Sequence, residues 1–231
     1  MAESLAKDAP PAPPRNRDQE LVRFVGRHGV VAMRHAMAEL GVGRTAAYRR
    51  VAACIEAGLL ERLDILCSEP GLLRATRAGL RYAGLGLPLA PASPGAVDHT
   101  LRCVSTAQLV GKRYGDDKVL SERELVLAEQ IAGKSIASAS IGEFHGRERL
   151  HRPDLAVFAD EGTIAIEVEL TPKAPYRLQG LIRAWRHAIG SRLIAEVHYL
   201  CAPGLTRKAV ERAVYAVKAE KFIAIGEAVA R

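Results

Sequence analysis

From Asp18 the apolar positions recur at helical spacing: Leu21, Val22, Phe24 and Val25 follow an acidic start, and His28-Gly29 closes the segment. A second helix is predicted over about 33–40, with Met33, Ala36, Met37 and Leu40 on one face. Gly41-Val42-Gly43-Arg44 then reads as a tight turn, and a third helix follows, with Thr45 as N-cap and Gly58 as the C′ residue. The pattern next predicts strands over 59–66 and 72–76, joined by a turn at 68–71, and a short helix over 77–84.

Residues 84–95 carry Pro88, Pro91 and Pro94 among glycines and small residues, the composition of a linker. Beyond it a helix is predicted over 97–114. Ser121-Glu122-Arg123-Glu124 fits a capping box that opens another helix toward Ile131, and 136–144 is a strand candidate. Two short apolar runs, 151–158 and 162–170, flank Asp160-Glu161-Gly162 and predict a β-hairpin. A helix over 176–189, a strand over 196–201, a helix over 206–218 and a last strand over 221–225 complete the chain. The order predicts an α/β (α+β overall) protein with a mixed sheet flanked by helices. It divides into an arm (1–17, with Pro10, Pro11, Pro13 and Pro14), a first domain (18–87), a linker (88–96) and a second domain (97–231).

Charge adds a partner to this picture. The 231-residue chain has a formal net charge of +7, and residues 15–90 hold twelve arginines against seven acidic residues, a net +5 on a third of the length. Such a balance points to a polyanion, with double-stranded DNA as the expected partner and a homodimer as a candidate assembly. Four dispersed cysteines, Cys54, Cys67, Cys103 and Cys201, without CxxC spacing read as reduced, mostly buried thiols. With no apolar run of membrane-spanning length and no signal-peptide h-region, the expectation is a soluble, cytoplasmic protein with no membrane partner.

The hairpin concentrates the candidate chemistry. Asp154 opens its first strand, and alternation places Glu167 and Glu169 on one face of the second, opposite Ile166, Val168 and Leu170. That face is either the wet side of an antiparallel sheet or a carboxylate site, because adjacent buried carboxylates need a cation such as Mg²⁺ between them.

In the first domain, helix, helix, turn, helix, β-ribbon, helix resembles a winged helix-turn-helix domain. The resemblance implies DNA binding through Arg44, Thr45, Tyr48, Arg49 and Arg50 at the start of the third helix, with Arg74 on the ribbon. In the second, Pro153-Asp154 followed thirteen residues on by Glu167-Val168-Glu169 resembles the PD-(D/E)xK nuclease-like superfamily, whose restriction-endonuclease-like fold has this order of elements. Glu169 stands where that family's lysine usually falls, with Lys173 nearby as its replacement. The resemblance implies Mg²⁺ on Asp154, Glu167 and the Val168 carbonyl, with Glu169 or Lys173 orienting water and Arg177 steadying a phosphate. It also implies a helical glutamate, Glu122 or Glu124, although capping accounts for Glu124 without catalysis. The two-part layout is loosely similar to plasmid replication-relaxation proteins, implying a DNA-binding regulator or replication and transfer accessory factor on plasmid or mobile-element DNA. The alternative is an active Mg²⁺-dependent endonuclease.

Overall fold

The computed structural model describes residues 16–66 and 68–229, and the chain divides between Val97 and Asp98 into two compact units. Most of the expected arm, residues 1–15, lies outside the described residues, as does Cys67; Arg17 already belongs to the first helix. The first unit contains α1 (Asn16–His28), β1 (Val30–Val31), α2 (Met33–Leu40), α3 (Arg44–Glu56), β2 (Leu60–Leu63), β3 (Leu72–Ala75) and α4 (Arg77–Tyr82). Its three strands form an antiparallel sheet in the order β1-β3-β2. Leu21, Val22 and Val25 of α1, Val51 of α3, and Leu72 and Leu73 of β3 are fully buried, as the helical and strand periodicities require.

Two details differ from the sequence reading. Gly43, extended at φ −65°, ψ 161°, is the N-cap of α3, so Arg44 and Thr45 both lie inside its first turn and Thr45 does not cap. Strand β1 was not predicted, because two buried valines between Gly29 and Ala32 carry no readable period. At the other end of α3, Gly58 takes φ +68° while the Leu59 amide reaches back to the Cys54 carbonyl at 2.9 Å. That is a Schellman closure and suits the glycine at C′.

The second unit is three-layered. It begins within α5 (Pro94–Tyr114) and continues with a 3₁₀ turn (Asp116–Lys118), β4 (Val119–Ser121), α6 (Glu122–Ala132), β5 (Ala139–Phe144), β6 (Arg147–His151), β7 (Leu155–Ala159) and β8 (Gly162–Glu169). It then runs through α7 (Pro175–Gly190), β9 (Glu196–Cys201), α8 (Leu205–Val217) and β10 (Ile223–Glu227). The main sheet has the order β10-β9-β8-β7-β4, parallel across β10, β9 and β8 and antiparallel across β8, β7 and β4. Ala165, Val197, Tyr199 and Cys201 meet Leu178, Ile182 and Trp185 of α7 and Val210 and Val214 of α8. On the opposite face Leu155, Val157, Ile164 and Ile166 pack with Ala107 of α5 and Val119 of β4.

This burial on both faces overturns the wet-sheet reading of the acidic strand: Glu167 and Glu169 are 3 % and 4 % exposed. Two boundaries also shift and one strand is new. Helix α5 starts at Pro94, whose fixed φ suits a first helical turn. The segment before Pro153 forms its own two-stranded sheet, β5 with β6, so His151 closes β6 and the expected hairpin starts at Leu155. Strand β4 is a short edge strand paired with β7, and its three residues have no period of their own. No helix among the described residues is long and apolar enough to cross a membrane.

Candidate functional site

Strand pairing puts Leu155 opposite Ile166, which brings Asp154, just before β7, beside Glu167 on β8. The Val168 amide donates to Asp154 Oδ2 at 2.7 Å and fixes that carboxylate at the strand end. Glu167 Oε1 accepts from two ring nitrogens, His151 Nε2 at 2.7 Å and Trp185 Nε1 at 3.2 Å. Burial raises the Glu167 pKa; His151 opposes the rise and the negative charge of Asp154 adds to it. Glu169 pairs with Lys173, four residues on. Burial lowers the Lys173 pKa, against the pull of Glu167 and Asp154.

Two side chains from α5 complete the cluster. His99 Nε2 lies 3.0 Å from the Val168 carbonyl oxygen and 3.4 Å from Asp154 Oδ2, so a protonated Nε2 points between them. The Asp154 contact raises the His99 pKa. Cys103, one turn on, has Sγ 3.6 Å from His99 Nδ1. Burial pushes its thiol well above the usual range, reinforced by Asp154, Glu122 and Glu167. The two glutamates at the start of α6 divide their roles. Glu124 closes the capping box, its Oε2 accepting from the Ser121 amide at 3.0 Å. Glu122 is exposed by area, yet enough protein surrounds it that desolvation, then the charges of Asp154 and Glu167, raise its pKa.

These contacts bear on the Mg²⁺ expectation. Mg²⁺ takes oxygen ligands at about 2.0–2.1 Å in near-octahedral geometry. Each group expected to bind it, on Asp154, Glu167 and the Val168 carbonyl, is engaged by a nitrogen of the chain, and His99 stands between two of them. These bonds take Asp154 Oδ2, Glu167 Oε1 and the Val168 carbonyl, so Mg²⁺ here would have to displace His99 or use the second oxygen of each carboxylate.

A third buried carboxylate organises the approach to the site. Glu129 of α6 accepts from the Ile136 amide at 3.0 Å and from Arg152 Nε at 3.0 Å, tying the segment before β5 to the Arg152-Pro153-Asp154 turn. Burial acts to raise its pKa, but the hydrogen bonds and the Arg152 charge outweigh it and the net shift is downward. A groove between the β5–β6 hairpin and α7 is lined by Arg149, His151, Arg177, Arg183 and His187 together with Glu148, so His151 joins this mainly basic surface to Glu167.

In the first unit, Ala47, Val51 and Cys54 form the buried side of α3, while Arg44, Thr45, Tyr48 and Arg49 are exposed on its first two turns. The Arg44 guanidinium lies 5.4 Å from the Tyr48 ring centroid, in cation–π range. The other two expected DNA contacts are engaged within the unit. Arg50 bonds Asp18 of α1 at 2.6 Å, and Arg74 bonds Glu61 at 2.8 Å and the Ala90 carbonyl at 2.9 Å.

The sequence reading therefore brought together Asp154, Glu167, Glu169 and Lys173, but it missed His99, Cys103, Glu129 and the donor role of Trp185. The His99-x-x-x-Cys103 spacing, which aligns both residues on one helix face, was the available signal. A scan against models of known protein families finds no match, and a search of curated proteins finds no significant relative.

Proposed function

We propose that the protein binds double-stranded DNA through a winged helix-turn-helix module in its first unit, acting on plasmid or mobile-element DNA as a regulator or a replication and transfer accessory factor. The observation that carries this reading is the outward face of α3, where Arg44, Thr45, Tyr48 and Arg49 are exposed beside a β2–β3 ribbon. Side chains at the start of such a helix reach base edges and phosphates in the major groove. A homodimer on a palindromic site belongs to the same proposal. The second unit serves as a restriction-endonuclease-like scaffold, a role favoured by the engagement of Asp154, Glu167 and Glu169 with nitrogens of the chain itself.

Fluorescence anisotropy with labelled duplexes across a salt series tests the reading. Replacing Arg44 and Arg49 together by alanine weakens binding and flattens the log–log salt slope by roughly 2, about one for each arginine that neutralises a phosphate. Unchanged affinity and slope in the double variant would overturn it.

A second reading, phosphodiester hydrolysis at the same carboxylates, is favoured by the strand register that sets Asp154 beside Glu167, with Glu169, paired to Lys173, two residues along β8. Incubation of supercoiled plasmid with divalent ions separates the two readings. Cleavage by the wild type that disappears in Asp154→Ala establishes the enzyme, and equal activity in both removes Asp154 from it.

A further inference from the structure

We infer that His99, Cys103 and Asp154 form a binding site for a borderline-soft divalent transition ion of the Zn²⁺ and Co²⁺ class. One ligand atom from each residue lies within 4.8 Å of the other two. His99 Nε2 is 3.4 Å from Asp154 Oδ2 and 3.9 Å from Cys103 Sγ. Tetrahedral zinc, with Zn–S about 2.3 Å and Zn–N about 2.0–2.1 Å, places neighbouring ligand atoms roughly 3.3–3.6 Å apart. The sulfur, 3.9 Å from His99 Nε2 and within 4.8 Å of an Asp154 oxygen, has to close on both to reach that range.

The ligand chemistry selects the ion. A thiolate and an imidazole suit zinc and cobalt, whereas Mg²⁺ prefers carboxylates, carbonyls and water. Rigid elements present the donors: His99 and Cys103 lie one turn apart on α5, and the Val168 amide anchors Asp154. The ion takes the place of the Nε2 proton between Asp154 and Val168, and the thiol proton leaves to solvent. Three side-chain ligands leave one tetrahedral position, faced by the Val168 carbonyl 3.0 Å from Nε2 or filled by a water. The site stands on these contacts alone and holds whether or not the protein binds DNA.

Cobalt titration of the full chain, followed by absorption, tests the site. The expected result is a thiolate-to-cobalt charge-transfer band that saturates at one equivalent, is displaced by Zn²⁺ and is indifferent to excess Mg²⁺. Cys103→Ser removes the band, while Cys54→Ser, Cys67→Ser and Cys201→Ser keep it. Asp154→Asn preserves shape and weakens Co²⁺ binding by about tenfold or more, since even outer-shell partners contribute that much. Far-ultraviolet circular dichroism establishes that each variant is folded, and Asp154→Asn decides the matter if Cys103→Ser is not. No band in the folded wild type, a band surviving in folded Cys103→Ser, or unchanged affinity in Asp154→Asn overturns the inference.

Discussion

Replacing Glu167 by alanine and by glutamine separates what its shape contributes from what its charge costs. The carboxylate is 3 % exposed and holds the His151 and Trp185 ring nitrogens at 2.7 and 3.2 Å. Alanine removes the acceptor, leaves a buried indole N–H without a partner at about 1–3 kcal/mol, and opens a void. The expected loss for Glu167→Ala is about 3 kcal/mol or more, in the range for breaking a buried polar pair. Glutamine keeps an oxygen for the indole and removes the buried charge. Because burial raises the Glu167 pKa above 4.5, the folded state holds this proton to a higher pH than the unfolded chain. Wild-type stability therefore falls as pH rises from about 4.5 through the raised pKa, by at most about 1.4 kcal/mol per pH unit. Glu167→Gln does not titrate and gains on the wild type across that window. Urea unfolding read by Trp185, the chain's one tryptophan, measures both variants in the second unit directly. A Glu167→Gln variant as unstable as Glu167→Ala at neutral pH would refute the reasoning, because the charge and not the acceptor would then be stabilising.

Three further outcomes are expected. Burial, then the Arg34 charge, lowers the His35 pKa to about 3, so the unfolded state binds a proton below pH 6.5 that the folded state refuses. The first unit accordingly loses stability as pH falls from 6.5 toward 3, and circular dichroism should show this slope reduced in His35→Asn; parallel losses would count against it. Glu129→Ala breaks the buried pair with Arg152 and should lower stability by about 3 kcal/mol in urea unfolding, with a loss under about 1 kcal/mol contradicting its organising role. A Cβ on Gly79 would collide with the Leu59 carbonyl oxygen, so Gly79→Ala must displace α4 from the residue that precedes β2. Calorimetry should show a cost of at least about 1–3 kcal/mol, and a neutral effect would mean that the backbone yields freely.

The parts of the fold readable from the sequence were those with a period or a punctuating residue. Leu21, Val22 and Val25 announced α1, Ser121 and Glu124 announced the start of α6, and Asp160-Glu161-Gly162 announced the β7–β8 turn. Short edge pieces such as β1 and β4 were silent because two or three residues cannot display alternation. At the site, Asp154 and Glu167 were legible because one hairpin holds both. His99 was not, since it lies 69 positions from the Val168 carbonyl it meets and only tertiary folding joins them. The same reason hid the Arg74 bond to Ala90, which draws toward the linker a side chain that the winged-helix resemblance assigned to DNA.

The mixed pairing of β8 also sets an order of assembly. Strands β7 and β8 are joined by two residues, and isolated hairpins close in about 1–10 μs. Strand β9 can pair with β8 only after the α7 crossover folds back, so the Trp185 indole reaches Glu167 at a later step than Asp154 does. The acidic pair is thus expected to assemble while still hydrated, and to lose its water on the descent from the transition state. Trp185→Phe, which removes the N–H and keeps most of the volume, should accelerate unfolding and leave the refolding rate nearly unchanged in stopped-flow circular dichroism.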